Sequence, residues 1–207
     1  GVARTETLEA ETKMGDMMGE TLTPQLVAAP ELHKLSACRA ALEDHDFEKA
    51  VLFVDRVVVA KRLAAELEEY NTVTVLGRLR SGSEAQQKAV DQAQADETDL
   101  IIATAAGEEG MDLPQADLLV VWSNVVSAIR FIQRLGRVMR QGDREQPKAA
   151  VYLATPDSPD YTSLRRGIVE AERAGLDISR LDENLIFDKT EAGQVQAALA
   201  SGPQQLD

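Results

Sequence analysis

The sequence predicts an α/β domain with a mainly parallel central sheet flanked by helices. Three observations predict it. Short apolar runs recur at Ala50–Asp55, Thr72–Leu76, Leu100–Ala103, Leu118–Trp122 and Ala149–Ala154. The Leu100–Ala103 run, bounded by Asp99 and small residues, looks like a buried parallel strand. Helical patterns lie between them, and strands alternating with helices argue for right-handed βαβ units. The Leu100–Ala103 run also empties into a loop with Thr104, two glycines and two kinds of acid. Such loops at the carboxyl ends of parallel strands are where open α/β sheets bind ligands.

Each element has its own signal. Residues 1–30 are polar and acidic with a Met14, Met17, Met18, Leu22 cluster, and read as an N-terminal arm, a packed helix or a frayed end. Leu32, Leu35, Ala41 and Leu42 suggest a helix before the first strand. Val59, Leu63 and Leu67 form one helical stripe; Ala85, Ala89, Val90 and Ala93 form another, with Ser83 suited to cap it. Tyr161, Leu164 and Ile168 suggest a last helix begun near Ser158-Pro159, because proline suits a first helical turn. The tail from Glu191 is rich in Ala, Gln and Gly, and Ser201-Gly202-Pro203 reads as a stop. The expected division is an arm over 1–30, the main domain over 31–156, and a helical extension with a tail over 157–207.

Composition narrows the class. The chain has 207 residues, enough for one substantial domain with an appendage. A single cysteine excludes an intramolecular disulfide, and Cys38 reads as a buried apolar residue. No apolar run approaches the roughly 20 residues needed to span a bilayer. The amino end lacks the layout of a signal peptide. The expectation is a cytoplasmic protein without membrane contact. His33, Cys38 and His45 make no recognisable metal-ligand spacing, so no metal site is expected.

The segment Gln133-Arg134-Leu135-Gly136-Arg137-Val138-Met139-Arg140 is the strongest local signal. It places three arginines in seven residues, within a chain of net charge -13. Guanidinium is always protonated, planar and bidentate toward phosphate. Apolar Ala128, Ile129 and Ile132 precede it at helical spacing, and Gly136 can end that helix. On spacing alone the run is either an anion grip or a solvated basic helix end favoured by the dipole.

The second signal is Asp99 to Pro114. Thr104 offers a hydroxyl near a phosphate, Gly110 permits close backbone approach, and Asp112 can accept from a sugar hydroxyl. By itself this segment also reads as an ordinary strand-to-helix loop.

In this order the two segments resemble the second RecA-like domain of superfamily 2 helicases and translocases. The Thr104 loop is similar to motif V of that family, and Gln133 to Arg140 is similar to motif VI, Q-R-x-G-R-x-x-R. Within the superfamily the chain looks closest to the branch of Hef and Dicer. Glu108-Glu109-Gly110-Met111-Asp112 and Ser127-Ala128-Ile129-Arg130 mirror that branch, and Ser83 to Gln87 resembles its short helix start. Val138-Met139 stand where the family commonly has Thr-Gly. The resemblance covers roughly residues 31–156.

The resemblance implies a RecA-like fold, ATP as the cofactor, and DNA or RNA as a partner. It implies that Arg137 and Arg140 reach the β- and γ-phosphates as catalytic arginine fingers, which contribute on the order of 10³–10⁵ in rate. Gln133 would bridge the nucleotide and neighbouring motifs, with Gly110 and Asp112 at the domain cleft near the ribose. Thr104 would touch the nucleic-acid backbone or couple it to the cleft. Arg78 would lie in a strand-binding loop. Phe53 corresponds to the motif IV aromatic, with core packing as the other reading. No Gly-x-x-x-x-Gly-Lys-Ser/Thr loop or Asp-Glu metal-binding pair is present in these residues. Half of a motor is therefore expected, with magnesium held by an N-terminal RecA-like domain of the same protein and no turnover by this fragment alone. Two other classes stay open: a degenerate RecA-like binding module, and a different nucleotide enzyme of doubly wound fold.

Aspartate plus glutamate outnumber lysine plus arginine 35 to 22. Nucleic-acid binders usually carry a basic footprint. Adaptation to high salt reconciles the two, since an acidic surface stays hydrated in brine. The rival is an acidic face reserved for a protein partner.

Overall fold

The computed structural model describes residues 25–29, 33–77, 82–104, 113–123, 149–173 and 182–186. The chain order is β1 (Gln25–Ala28), α1 (Lys34–Asp44), β2 (Ala50–Val54), α2 (Val57–Glu66), β3 (Thr72–Val75), α3 (Gly82–Gln94), β4 (Leu100–Thr104), β5 (Leu118–Val121), β6 (Ala149–Ala154), α4 (Pro159–Arg173) and β7 (Asp182–Ile186). The seven strands form one sheet in the order β3-β4-β2-β5-β6-β1-β7. Every strand pairing in it is parallel.

Five of these strands are the five apolar runs of the sequence, each within one residue at its ends. The other two, β1 and β7, come from the flanking segments outside residues 31–156, so the sheet is wider than the sequence suggested. QLVA is four residues long and DENLI is mostly polar. Neither has the continuous apolarity that marks a central parallel strand.

Successive side chains of a strand point to opposite faces, and each face builds its own core. Val51, Phe53, Ile101, Ala103, Leu119 and Tyr152 pack on one face, with Ala93 of α3 and Leu164 and Ile168 of α4. Leu52, Val54, Ile102, Val120 and Leu153 pack on the other, with Cys38 and Leu42 of α1 and Ala60 and Leu63 of α2. Connections through α1 and α2 run toward the β3 edge, and those through α3 and α4 run toward β7. The sorting of helices by direction of travel is what a single crossover handedness produces. The edge strand β3 is only half-buried except at Val75.

The helices carry the expected stripes. Leu63 and Leu67 are fully covered, while Val59 is half-buried. In α4 the Ser158 Oγ accepts from the Tyr161 amide at 3.3 Å, and Pro159 opens the helix where its missing N–H costs nothing. Ser83 falls within α3, but its side chain lies outside the described residues. Cys38 is wholly buried in the core. No helix among the described residues is long and apolar enough to cross a membrane.

Candidate functional site

Parallel strands deliver all their carboxyl ends to one pole, and the helices that follow begin there. At that pole β4 ends on Thr104, and β5 leads into the residues that precede the arginine run in sequence. Strand β2 lies between β4 and β5, with Val54 in register with Thr104 and Phe53 with Val121. The motif V-like loop therefore leaves the sheet on one side of β2, and the arginine-bearing segment follows the strand on the other side.

Thr104 is the one residue of the expected site that the structure describes. It ends β4 and is 3% exposed. Arg78, Gly110, Asp112, Gln133, Arg137 and Arg140 lie outside the described residues. Just before Arg78, Gly77 has φ of 81°, a left-handed turn that a side chain would resist. Phe53 is fully buried in the core beside Val51 and Val121, so it packs.

Sequence reasoning missed the polar residues that link these strand ends. The β2–β5 ladder closes with the Trp122 amide donating to the Phe53 carbonyl at 2.8 Å. One step further, side chains take over. The Asp55 amide donates to Ser123 Oγ at 3.2 Å, and Ser123 Oγ donates to Asp55 Oδ1 at 2.9 Å. Both residues follow directly on apolar runs, which is the signal that could have found them. Their pairing across 68 residues has no local signature.

Beside this pair lies a cleft of about 780 Å³, lined among others by Lys34, Arg56, Arg62, Trp122 and Asp160. Lys34 Nζ bonds Asp160 Oδ2 at 3.0 Å and sits 5.4 Å from the centre of the Trp122 ring. Asp160 Oδ2 also accepts from the Thr155 amide at 3.4 Å, at the start of α4 where the helix dipole favours an anion. The ion pair joins α1 to α4 across the end of the sheet. It is nearly buried, with side chains 8% and 18% exposed. The guanidinium-bearing chain of Arg56 is 76% exposed and only 3.9 Å from its own neighbour Asp55, a contact worth little in water. Among the described residues no group of three or more His, Cys, Asp or Glu could hold a metal ion. His45 Nδ1 instead bonds the Ala41 carbonyl at 2.6 Å.

Residues 33–142 match the family described as the helicase conserved C-terminal domain. The DNA 3'-5' translocase XPB2 of Sulfurisphaera tokodaii is 24% identical over 140 residues, which is 68% of this chain and 30% of that protein. Dicer-like protein 2 of Coccidioides immitis is 39% identical over 79 residues, which is 38% of this chain and 5% of that protein. The chain thus spans less than a third of each relative. The solved C-terminal domain of the DEAD-box protein Dbp5 superposes with a TM-score of 0.69, covering 88% of this chain and 98% of that one at 14% identity. That likeness is one of fold. The relatives are superfamily 2 helicases and include Dicer-like types, in keeping with the branch resemblance.

Proposed function

This chain belongs to the helicase conserved C-terminal domain family, and from that premise we propose that it is the second motor domain of an ATP-dependent superfamily 2 helicase or translocase. The observation that carries the reading is the placement of β2 between β4 and β5. The motif V-like and motif VI-like segments follow the two strands that flank it. They depart from one pole of one sheet, as a composite nucleotide and nucleic-acid face requires.

In this reading Arg137 and Arg140 hold the charge that develops on a transferred phosphoryl group, and Gln133, Gly110 and Asp112 line the cleft toward the nucleotide. ATP supplies the phosphoryl group, and magnesium is held by a first RecA-like domain of the same protein. Helices α1, α2 and α4 also start at this pole, and helix amino termini suit phosphate-bearing ligands. The burial of Thr104 favours its coupling role over a direct contact with a DNA or RNA backbone. Arg78, just beyond β3, serves the nucleic-acid track.

The test is kinetic. The isolated chain should not turn over ATP, because it has no phosphate-cradling loop. In the full protein that carries this domain, Arg137→Ala or Arg140→Ala should lower kcat by about 10³ or more with the fold intact. Normal hydrolysis by both variants would leave the arginine run as a basic helix end and the domain as a binding module.

A further inference from the structure

We propose that Asp55 and Ser123 form a positioning latch that holds the arginine-bearing segment in alignment with the loop after β2. The inference rests on the motor reading above. Neither residue touches the nucleotide in this scheme, and each acts through the backbone it fixes.

Strand β2 ends at Val54 and α2 begins at Val57, so the backbone ladder between β2 and β5 cannot run on. The last backbone rung is Trp122 to Phe53 at 2.8 Å. Asp55 and Ser123 each lie two residues beyond the last paired positions, Phe53 and Val121, so they stay in register. Ser123 Oγ accepts the Asp55 amide where a backbone carbonyl would otherwise serve, and its hydroxyl proton goes back to Asp55 Oδ1. The pair adds one rung made of side chains. Ser123 is only 8% exposed, which shelters its hydroxyl, while the Asp55 side chain it meets is 43% exposed. The residue after Ser123 begins the stretch that carries Gln133, Arg137 and Arg140. Val54, adjacent to Asp55, is in register with Thr104 on the other side. The end of β2 thus sits between the strands that lead into the two motif-bearing stretches, and the latch fixes the end of β5 to it.

Positional error at a transferring group is expensive: a displacement of about 1 Å can cost about 100-fold in rate. The experiment measures steady-state ATP hydrolysis by the full protein carrying this domain, with Ser123→Ala, Asp55→Ala and the double variant. Each single variant should lose about 10- to 100-fold in kcat, with ATP KM within about twofold of wild type. The double variant should be no worse than either single, because the two residues act as one unit. Ser123→Thr, which keeps the hydroxyl, should restore most of the rate and guards against a misfolded alanine variant. Wild-type kcat in both single variants overturns the latch, as do losses that multiply in the double variant. Arg137→Ala in parallel separates the two readings: its failure to slow turnover refutes the motor reading, whereas its success beside an unaffected Ser123→Ala refutes only the latch.

Discussion

Salt should stabilise this domain, and the structure says where the effect arises. The helices run back against the strands, so α1, α2 and α3 end at the pole opposite the site. None of the three carries a basic residue in its last turn. Instead Glu43, Asp46 and Glu48 follow from α1, Glu66, Glu68 and Glu69 from α2, and Asp91, Asp96 and Glu97 from α3, all of them exposed. These nine carboxylates sit beside negative helix ends, contrary to the dipole preference. Two cations answer them there. Arg39 bonds Glu69 at 2.9 Å, and Lys49 Nζ caps the Ala93 and Ala95 carbonyls at 2.6 and 2.7 Å. Two carboxylates roughly 10 Å apart repel by about 0.4 kcal/mol in unscreened water, so about five such pairs among the nine would cost about 2 kcal/mol. The Debye length falls from about 30 Å at 0.01 M salt to about 3 Å at 1 M, which removes most of that repulsion. For a domain of this size about 2 kcal/mol corresponds to a rise of roughly 4–8 °C in Tm. Thermal melts of the chain from dilute buffer to molar potassium chloride measure it. A rise that saturates near 1 M is screening alone, and one that continues beyond it indicates ion binding or hydration adapted to brine. A midpoint unchanged or lowered by salt would refute the reasoning and move the acidic pole to the service of a protein partner.

Other expectations follow from single residues. Burial pushes the Cys38 thiol up to about 12, so its folded value lies above its unfolded one. Its contribution to stability is complete below the unfolded value and fades as pH rises from about 9 toward 12; denaturant melts of Cys38→Ala should lose that alkaline decline, and an unchanged profile would reject it. At pH 8 alkylation of Cys38 should follow unfolding rather than direct attack. Phe53→Ala should cost about 3–5 kcal/mol by opening a cavity in a closed core; a chain that melts like wild type but belongs to an inactive motor would return Phe53 to the site. Arg137→Lys should rescue hydrolysis poorly in the full protein, because a point charge cannot reproduce bidentate geometry, and wild-type kcat in that variant would count against phosphate contact.

The amino-acid sequence by itself determined the α/β class, five of the seven strands and the helices between them. The physical reason is that a strand covered on both faces must be apolar at every position, as VLFV, LIIA and LLVV are, and such runs are visible locally. It also pointed to the family, because the glycine, threonine and arginine spacing that resembles motifs V and VI lies within two short segments and is legible without distant contacts. Only the tertiary structure decided that QLVA and DENLI join the sheet as β1 and β7, since short or edge strands draw their stability from a neighbour's ladder. It alone placed β2 between β4 and β5, because strand order depends on how far each crossover travels. It alone paired Asp55 with Ser123 and Lys34 with Asp160, 68 and 126 residues apart. These polar residues have no periodicity to betray them; each is explained only by the partner that the fold brings within hydrogen-bonding distance.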